Sequence, residues 1–331
     1  MPDAVDRAIL RTLQLAPRAP FRLIGEIAGV SEQTAARRYQ ALRRAGVLRV
    51  IGLVDPAVYG DARWVARIRC RPDRVDPLAR ALAQRPDIAY AALASGGSEI
   101  ICVISAPVHA PREDILLRQL PRASAVLDVT IDLMLHPFGD QGLPGDWTGY
   151  GDPLDAAQLR LLDPHRPPVP KGPPLPTTDA DAPLLAALAE DGRVTQARLA
   201  EVTGWSPARV ARRLVALERS GTLFYDVDLL PEPLGHRLNA TLWLRVPPAE
   251  LERVGLALAR HDEVAFAAAV SGTHNIMASI ACRDAEDFYR YLTTRVAAIG
   301  GIDAYSVSIR VRRLKQAASL ITHGRLVHSP S

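Results

Sequence analysis

The chain has 331 residues, of which 48% are hydrophobic and 23% are charged, and its formal net charge is +4 at pH 7. This length predicts two or more domains, each with a core of its own. So small a net charge does not by itself indicate a polyanionic partner, and three cysteines exclude a paired disulfide framework.

The first elements form a three-helix pattern. Residues 6–13 and 23–30 have the apolar spacing of short amphipathic helices, and a glycine turn leads into a third helix over residues 31–46. Ser31 suits the N-cap of that helix and Gly46 its C-cap. The pattern predicts a helix-turn-helix in residues 1–54, whose last helix enters a DNA major groove. The alternative to a DNA-binding domain is a three-helix packing unit whose arginine face is in contact with solvent.

The outward face of the third helix carries the predicted DNA-binding residues, which are Ser31, Gln33, Thr34, Arg37 and Arg38. Arginine either donates two hydrogen bonds to guanine or clamps a phosphate, and the sequence does not separate these roles. Gln33 and Thr34 are the better base readers. Residues 1–50 hold nine arginines against four acidic residues, so we expect this domain to be the stronger phosphate binder.

After residue 46 the period of the sequence changes from helical to alternating. Residues 47–54 predict a wing or hinge strand, and residues 60–136 predict a strand-helix-strand-strand-helix-strand unit, the ferredoxin-like order. The strands are expected at residues 63–70, 88–94, 100–105 and 126–135, and the helices at residues 76–85 and 113–119. The turn between the middle strands supplies the candidate effector-binding residues Ser95, Gly96, Ser98 and Glu99.

A linker and a repeat of the whole module follow. Residues 137–178 are rich in proline and glycine, which predicts an extended, polyproline-like spacer. A short helix around residues 154–162 is expected to dock on one of the sheets. The three-helix pattern then returns in residues 179–229 at an offset of 175 positions. An internal repeat of this length indicates a duplicated two-domain module.

The second recognition helix differs from the first on its outward face. Its predicted DNA-binding residues are Ser206, Ala208, Arg209, Arg212 and Arg213. Ala208 and Arg209 replace Gln33 and Thr34, so we predict an imperfect palindrome with half-sites about one or two helical turns apart. In residues 179–225 six arginines balance six acidic residues, and a second module that senses or scaffolds without binding DNA stays open as an interpretation.

The second ferredoxin-like unit is predicted over residues 235–314. Its strands are expected at residues 238–246, 264–270, 276–281 and 302–311, and its helices at residues 248–259 and 284–292. Its middle turn supplies the candidate effector-binding residues Ser271, Gly272, His274 and Asn275. The tail, residues 315–331, is expected to be partly loose apart from the apolar residues 317–321.

These motifs resemble the Lrp/AsnC (leucine-responsive regulator) family. The matching segments are I-G-E-I-A-G-V-S at 24–31, L-A-E-V-T-G-W-S at 199–206, A-S-G-G-S-E-I at 94–100 and V-S-G-T-H-N-I at 270–276. The resemblance implies an α+β chain with two winged helix-turn-helix and two ferredoxin-like effector domains. It also implies double-stranded DNA as partner, a small-molecule effector, often an amino acid, bound near the turns where effector domains meet, and a homo-oligomer formed through those domains. The family's turn has aspartate where Glu99 and Asn275 stand.

The enzyme alternative rests on the same architecture. The architecture of this chain also resembles that of the siroheme decarboxylases, which include fused double modules. The segment G-H-R-L-N-A-T-L-W at 235–243 is similar to the first effector strand of those enzymes. Their Arg-Arg-Phe-Gly segment with its nearby histidine is absent here. No phosphate-binding loop or metal-spaced Cys/His cluster occurs, so we predict no catalytic residue, no metal and no cofactor. A charged N-terminus and an interrupted apolar stretch at 89–108 predict a cytoplasmic protein without a membrane segment.

Overall fold

The computed structural model describes residues 3–108, 125–139, 153–170, 172–317 and 319–328, and no helix in these ranges is long and apolar enough to cross a membrane. The first domain consists of the helices α1 (Ala4–Leu15), α2 (Phe21–Ala28) and α3 (Glu32–Arg44). Asp3 caps α1 and Ser31 caps α3, each by accepting a hydrogen bond from a first-turn backbone N–H. Gly29, at φ 68°, ends α2 in the left-handed conformation that the tight turn requires.

The first ferredoxin-like unit follows the strand β1 (Leu48–Val54). Its elements are β2 (Asp61–Cys70), α4 (Val75–Ala83), β3 (Ile88–Ala94), β4 (Glu99–Pro107) and β5 (Val126–Pro137). They form an antiparallel sheet in the order β3-β4-β2-β5, and α4 packs on its outer face. The helix predicted at residues 113–119 lies outside the described residues.

The predicted linker holds two folded pieces. Pro137 belongs to β5, and Phe138 is buried in the core of the second ferredoxin-like unit. The short helix α5 (Ala156–Leu162) docks on the first helix-turn-helix domain, so the expectation that it would dock on a sheet is wrong. Leu162 is fully buried there, and the Gln158 side chain donates a 3.0 Å hydrogen bond to the carbonyl oxygen of Ile27. The leucines of this segment pack against apolar surface that the three helices of the domain would otherwise expose to water.

The second helix-turn-helix domain consists of α6 (Ala182–Glu190), α7 (Gln196–Thr203) and α8 (Pro207–Arg219), followed by β6 (Leu223–Leu229). Strand β6 pairs antiparallel with β1 over seven residues of each, from Leu48 opposite Leu229 to Val54 opposite Leu223. The predicted wing strands are therefore partners of one another. Each strand covers an edge that its own domain would leave unpaired.

The second ferredoxin-like unit repeats the first. Its elements are β7 (Leu238–Arg245), α9 (Leu251–Ala259), β8 (Val264–Val270), β9 (Ile276–Cys282), α10 (Ala285–Arg290) and β10 (Ala304–Gln316). Helix α10 runs on through a π-helical segment (Tyr291–Val296). The strands pair in the order β8-β9-β7-β10. The predicted α+β class, with two helix-turn-helix and two ferredoxin-like domains in tandem, is confirmed.

The two ferredoxin-like sheets join within the chain into a ring of strands. Strand β5 pairs with β8, while β10 pairs with β7 through its first half and with β3 through its second half. The series of ladders thus returns to its starting strand. Side chains from both units form a core inside this ring, including Val65, Ile101, Trp243, Ala268 and Met277. The effector domains therefore meet within one chain, a point that the sequence leaves open.

The described residues of the tail, 315–317 and 319–328, lie mostly in strands, which corrects the expectation that only residues 317–321 would be ordered. Strand β10 continues to Gln316, and β11 (Ser319–Thr322) and β12 (Arg325–His328) form a hairpin that extends the sheet. The Leu326 N–H donates a 2.8 Å hydrogen bond to the carbonyl oxygen of Gly46. Leu320 and Leu326 are buried, so the tail gains apolar contacts that its sequence alone does not reveal.

Candidate nucleic-acid interface and effector region

The Arg-Arg pair of the first recognition helix divides between two directions. Arg38 turns back to the start of α1, where its Nη1 lies 2.7 Å from Asp3 Oδ2 and 3.0 Å from Asp6 Oδ1. Hydrogen bonds to Asp6 and Asp3 raise the pKa of Arg38. Arg37 is exposed and has no hydrogen-bond or ion-pair partner among the residues that the structure describes. Arg37 is therefore the member of the pair that is available to a ligand.

The second recognition helix repeats this division at the equivalent positions. Arg213 pairs with Asp181, with Nη2 lying 2.6 Å from Oδ2 and Nε lying 2.8 Å from Oδ1. Asp181 is 1% exposed, and its hydrogen bonds from Arg213 lower its pKa to about 2. Arg212 is exposed and, within the described ranges, unpaired. Because Arg38 and Arg213 already bind acids of their own domains, the prediction that they contact DNA meets a competing partner in both copies.

The remaining predicted DNA-binding residues lie at the start of each recognition helix. Gln33 is exposed, while Thr34 is half-buried and accepts a 3.0 Å hydrogen bond from the Ser31 hydroxyl. In the second domain Ser206 caps α8, and Ala208 and Arg209 are exposed. The Arg209 guanidinium carbon stacks 4.2 Å from the centre of the Trp205 ring. A stacked guanidinium keeps its hydrogen-bond donors but loses conformational freedom. The two domains therefore differ at this position, where the first has the hydroxyl of Thr34 and the second has the stacked Arg209.

A reciprocal pair of arginines, which sequence reasoning missed, joins the two helix-turn-helix domains. Arg18 donates to the carbonyl oxygens of Gly192 and Val194 at 3.0 and 3.4 Å. Arg193 donates to the carbonyl oxygens of Pro17 and Ala19 at 2.6 and 2.7 Å. Pro17, Arg18 and Ala19 stand 175 positions before Gly192, Arg193 and Val194, so the two sets of contacts use equivalent residues.

Such reciprocity is the mark of an isologous interface, in which two copies are related by a twofold rotation. The antiparallel pairing of β1 with β6 follows the same rotation. The two recognition helices are therefore held in one chain in the relation that the two halves of a symmetric dimer would have. The signal in the sequence was an arginine kept before the second helix of both copies.

Most polar groups of the first predicted effector turn bind within the protein. Glu99 is 4% exposed and accepts hydrogen bonds from Arg67 Nε at 2.9 Å and from the Ser95 hydroxyl at 2.8 Å. The Ser98 hydroxyl donates to the carbonyl oxygen of Ser95 at 2.8 Å. The Arg67 guanidinium also lies over the ring of Trp243, 4.5 Å from its centre. Gly96 adopts the left-handed conformation that turns the chain.

The second turn is tied both to its own unit, through Asn275, and to the opposite unit, through Ser271. The Asn275 amide bridges the backbone of Val246, accepting from its N–H at 3.0 Å and donating to its carbonyl at 2.8 Å. Ser271 exchanges hydrogen bonds with Leu133 on β5. The backbone of Gly272 approaches the Asp132 carboxylate so closely that an added Cβ would lie 2.4 Å from Oδ1.

Burial sets the titration of the two ionisable groups near this turn. It raises the pKa of Asp132 and lowers the pKa of His274, and in each case neighbouring charges make smaller contributions. Glu99, Asn275, Ser95 and Ser271 thus hold the two turns in place. Of the predicted effector residues, His274 is the ionisable side chain that none of these described hydrogen bonds occupies.

Comparison with known proteins gives the same division of the chain. Residues 3–43 and 178–218 match the sequence model of the AsnC-type helix-turn-helix domain, and residues 239–320 match that of the Lrp/AsnC ligand binding domain. The HTH-type transcriptional regulator LrpA of Pyrococcus abyssi is 29% identical over 138 residues, which cover 41% of this chain and 98% of that protein. The regulator LrpA1 of Halobacterium salinarum is 28% identical over 140 residues, or 42% of this chain and 99% of that protein.

A solved structure shares the architecture of nearly the whole chain. The siroheme decarboxylase NirDL superimposes with a TM-score of 0.64 over 95% of this chain and 93% of its own, at 13% sequence identity. At that identity the likeness concerns the fold alone. It shows that a double module of this arrangement exists in a second protein, and it carries no argument about chemistry here.

Proposed function

The chain belongs to the Lrp/AsnC family, in a tandem form that carries the helix-turn-helix domain twice, and from this premise we propose that it is a sequence-specific, DNA-binding transcriptional regulator. The observation that carries the proposal is the reciprocal Arg18 and Arg193 contact, which holds two recognition helices as a dimer would hold them. A twofold pair of recognition helices suits a palindromic operator. One chain would bind both half-sites.

We assign different roles to the two arginines of each pair. Arg37 and Arg212 contact DNA, because each is exposed and unpaired within the described residues. Arg38 and Arg213 position the recognition helix through their acidic partners. Gln33 and Thr34 read the first half-site, while Ala208 and Arg209 meet the second, and the N-caps Ser31 and Ser206 lie where backbone N–H groups favour phosphate. The operator is then an imperfect palindrome.

We further propose that a small-molecule effector binds where the two ferredoxin-like units meet. The ring brings side chains of both units to one interior, and this interior faces the helix-turn-helix pair through residues that line a common cleft. A ligand there would contact the elements that set the position of the recognition helices, which is the requirement for coupling between two sites.

The test is binding of the purified chain to DNA from its own upstream region across a range of salt concentrations. We expect a retarded complex whose affinity falls as salt rises. Arg37→Ala should cost about 1–3 kcal/mol on the best operator and relax discrimination at one base pair if it reads a base. Equal weakening on all sequences, with a shallower salt slope, makes it a phosphate contact.

Arg290→Ala is the matched control, because it removes the same charge from an exposed site on the ring. It should leave DNA affinity unchanged. An absence of any retarded complex at low salt, with the protein folded, would contradict the proposed function.

A further inference from the structure

A cleft of about 2100 Å³ separates the helix-turn-helix pair from the strand ring. One wall comes from β1 and β6 with their neighbouring helices, and the other from the inner face of the ring, with residues 166–169 at the side. Pockets that bury drug-sized ligands are typically about 300–1,000 Å³. The cleft therefore has room for a molecule considerably larger than a free amino acid.

The floor of this cleft is apolar. Near the two predicted effector turns, the inward-facing side chains of the strands pack together as the core of the ring. Further along the same strands, the inward-facing side chains line the cleft. Val103, Met134, Phe266 and Met277 provide apolar surface from both units. Asn239, Thr241 and Ser279 add polar groups beside them. A large apolar surface with a few polar groups is the usual composition of a small-molecule site.

Two arginines of β10 reach this cleft because the strand is irregular. Arg310 pairs with Ala94 and Arg313 with Ala92, with a register shift between Arg310 and Arg312. Since residues 92 and 94 share one face of β3, the shift brings Arg310 and Arg313 to the same face, where regular alternation would have separated them. Both residues line the cleft.

Arg310 has only neutral partners among the described residues. Its Nη1 donates to the Tyr90 hydroxyl and its Nη2 to the carbonyl oxygen of Ile280, each at 2.9 Å. Its Nε is buried without an acceptor in the part of the chain that the structure describes. The positive charge of this half-buried guanidinium is thus solvated by dipoles and not neutralised by a carboxylate.

Arg63 adds a second positive charge on β2. It lines the same cleft and has no hydrogen bond or ion pair with any other described residue. Asp226 lies on the opposite wall, where burial raises its pKa and the charge of Arg63 lowers it. The acidic residues Asp61, Asp87, Glu190 and Asp262 also line the cleft, whereas Arg310 has no carboxylate partner among the described residues. A buried or half-buried cation without a carboxylate partner favours an anionic ligand.

We propose that this cleft, and not the pair of turns, is the effector site, and that it takes an apolar carboxylic acid larger than a free amino acid. Arg310 holds the carboxylate, and the apolar body lies on Val103, Phe266 and Met277. The turns are disfavoured because Glu99 and Asn275 are already engaged in internal hydrogen bonds. The regulatory part of this inference rests on the proposed function, whereas the binding part stands by itself.

The test uses the full chain and the fluorescent probe anilinonaphthalene sulfonate, an aromatic acid. We expect saturable binding of one probe per chain, displaced by dodecanoate and not by leucine at the same concentration. Arg310→Met keeps the apolar length of the side chain and removes its charge, so probe affinity should fall by about tenfold or more. Arg312→Met is the matched control, because Arg312 pairs with Asp76 outside the ring.

A second variant guards against misfolding of the first. Ser279→Phe places a bulky apolar group in the cleft and should weaken binding while the thermal melt stays near that of the wild type. Displacement by leucine alone, or equal affinity of the wild type and Arg310→Met, would overturn the assignment. Binding of the acid without any DNA binding would refute the regulator and leave the site standing, whereas DNA binding without acid binding would refute the site.

Discussion

The two helix-turn-helix domains share one scaffold and differ in the surfaces that they turn outward. Both keep an arginine bound to an acid at the start of the first helix, Arg38 with Asp6 and Arg213 with Asp181. At the start of the recognition helix, by contrast, Gln33 in the first domain corresponds to Ala208 in the second. The two copies share the contacts that hold each domain and the exposed arginines Arg37 and Arg212, and they differ at the start of the recognition helix.

The two domains also differ in what covers the end of the recognition helix. Gly46 lies against the C-terminal hairpin, with an added Cβ falling 2.7 Å from Arg325 Cβ. Gly221 lies against the linker, 2.9 Å from Pro170 Cβ by the same measure, and the Thr222 hydroxyl donates to Leu175 at 2.7 Å. The end of the first recognition helix therefore contacts the C-terminal hairpin, and the end of the second contacts the linker.

The largest expected effect concerns the more buried of the two ion pairs. Asp181→Ala leaves Arg213 without its carboxylate, and removal of one partner from a buried pair costs roughly 3–5 kcal/mol. Asp6→Ala should cost less, because Asp6 is more exposed and Asp3 also binds Arg38. Urea unfolding of both variants measures the difference. Equal losses would show that the two pairs are equivalent.

The two reciprocal arginines, Arg193 and Arg18, should also differ in how much they stabilise the protein. Arg193 donates two short hydrogen bonds and stacks on Phe21, 4.6 Å from the ring centre, so Arg193→Ala should destabilise the domain pair by roughly 2–3 kcal/mol. Arg18→Ala should cost about 1 kcal/mol, since its hydrogen bonds are longer. Calorimetric melting compares them, with Arg74→Ala on the exposed ring surface as control.

Acid should destabilise the second domain through the ion pair of Asp181 with Arg213. Hydrogen bonds from Arg213 lower the folded-state pKa of Asp181 to about 2, from the ordinary value of 3.8. The stability that this carboxylate contributes is complete above pH 4 and is lost as the pH falls through 2, about 2 kcal/mol in all. Hydrogen exchange of α8 between pH 5 and 2 reports the loss. Asp181→Asn should show a flatter dependence over this range.

The smallest effect belongs to the stacked arginine. Arg209→Ala should reduce DNA affinity by about 0.5–1 kcal/mol if the Trp205 stack holds the guanidinium beside a phosphate. Because a phosphate contact does not depend on base sequence, the loss of affinity should be the same on operators altered in the first half-site and on operators altered in the second. Quantitative band shifts on such operator pairs measure it, and a loss confined to one base pair would instead make Arg209 a base reader.

Local patterns were enough to predict most of the described helices and strands and their order, but the C-terminal hairpin was not predicted and the helix expected at 113–119 lies outside the described residues. The caps Ser31 and Ser206, the apolar stripes and the alternating strands each depend on neighbours close in sequence. The same patterns, however, predict DNA contact for both arginines of each Arg-Arg pair. The acids that bind its second member lie 32 positions away, where no short-range pattern connects them.

Contacts between distant segments were the part that sequence reasoning could not supply. The pairing of β1 with β6, the docking of α5 on the first domain and the C-terminal hairpin all join surfaces far apart in the chain. Arg18 and Arg193 were visible as a repeated residue, but an arginine on a loop is ordinarily solvated. Only the three-dimensional arrangement shows that each one binds the backbone of the other domain.

The most direct measurement is a hydroxyl-radical footprint at a ratio of one chain per operator, with mass determination of the complex. The account predicts that a single chain protects two half-sites about one or two helical turns apart, with Arg37→Ala weakening protection of one and Arg212→Ala that of the other. Protection of one half-site only, or a requirement for two chains per palindrome, would contradict the central claim that the duplicated chain is a dimer in one polypeptide.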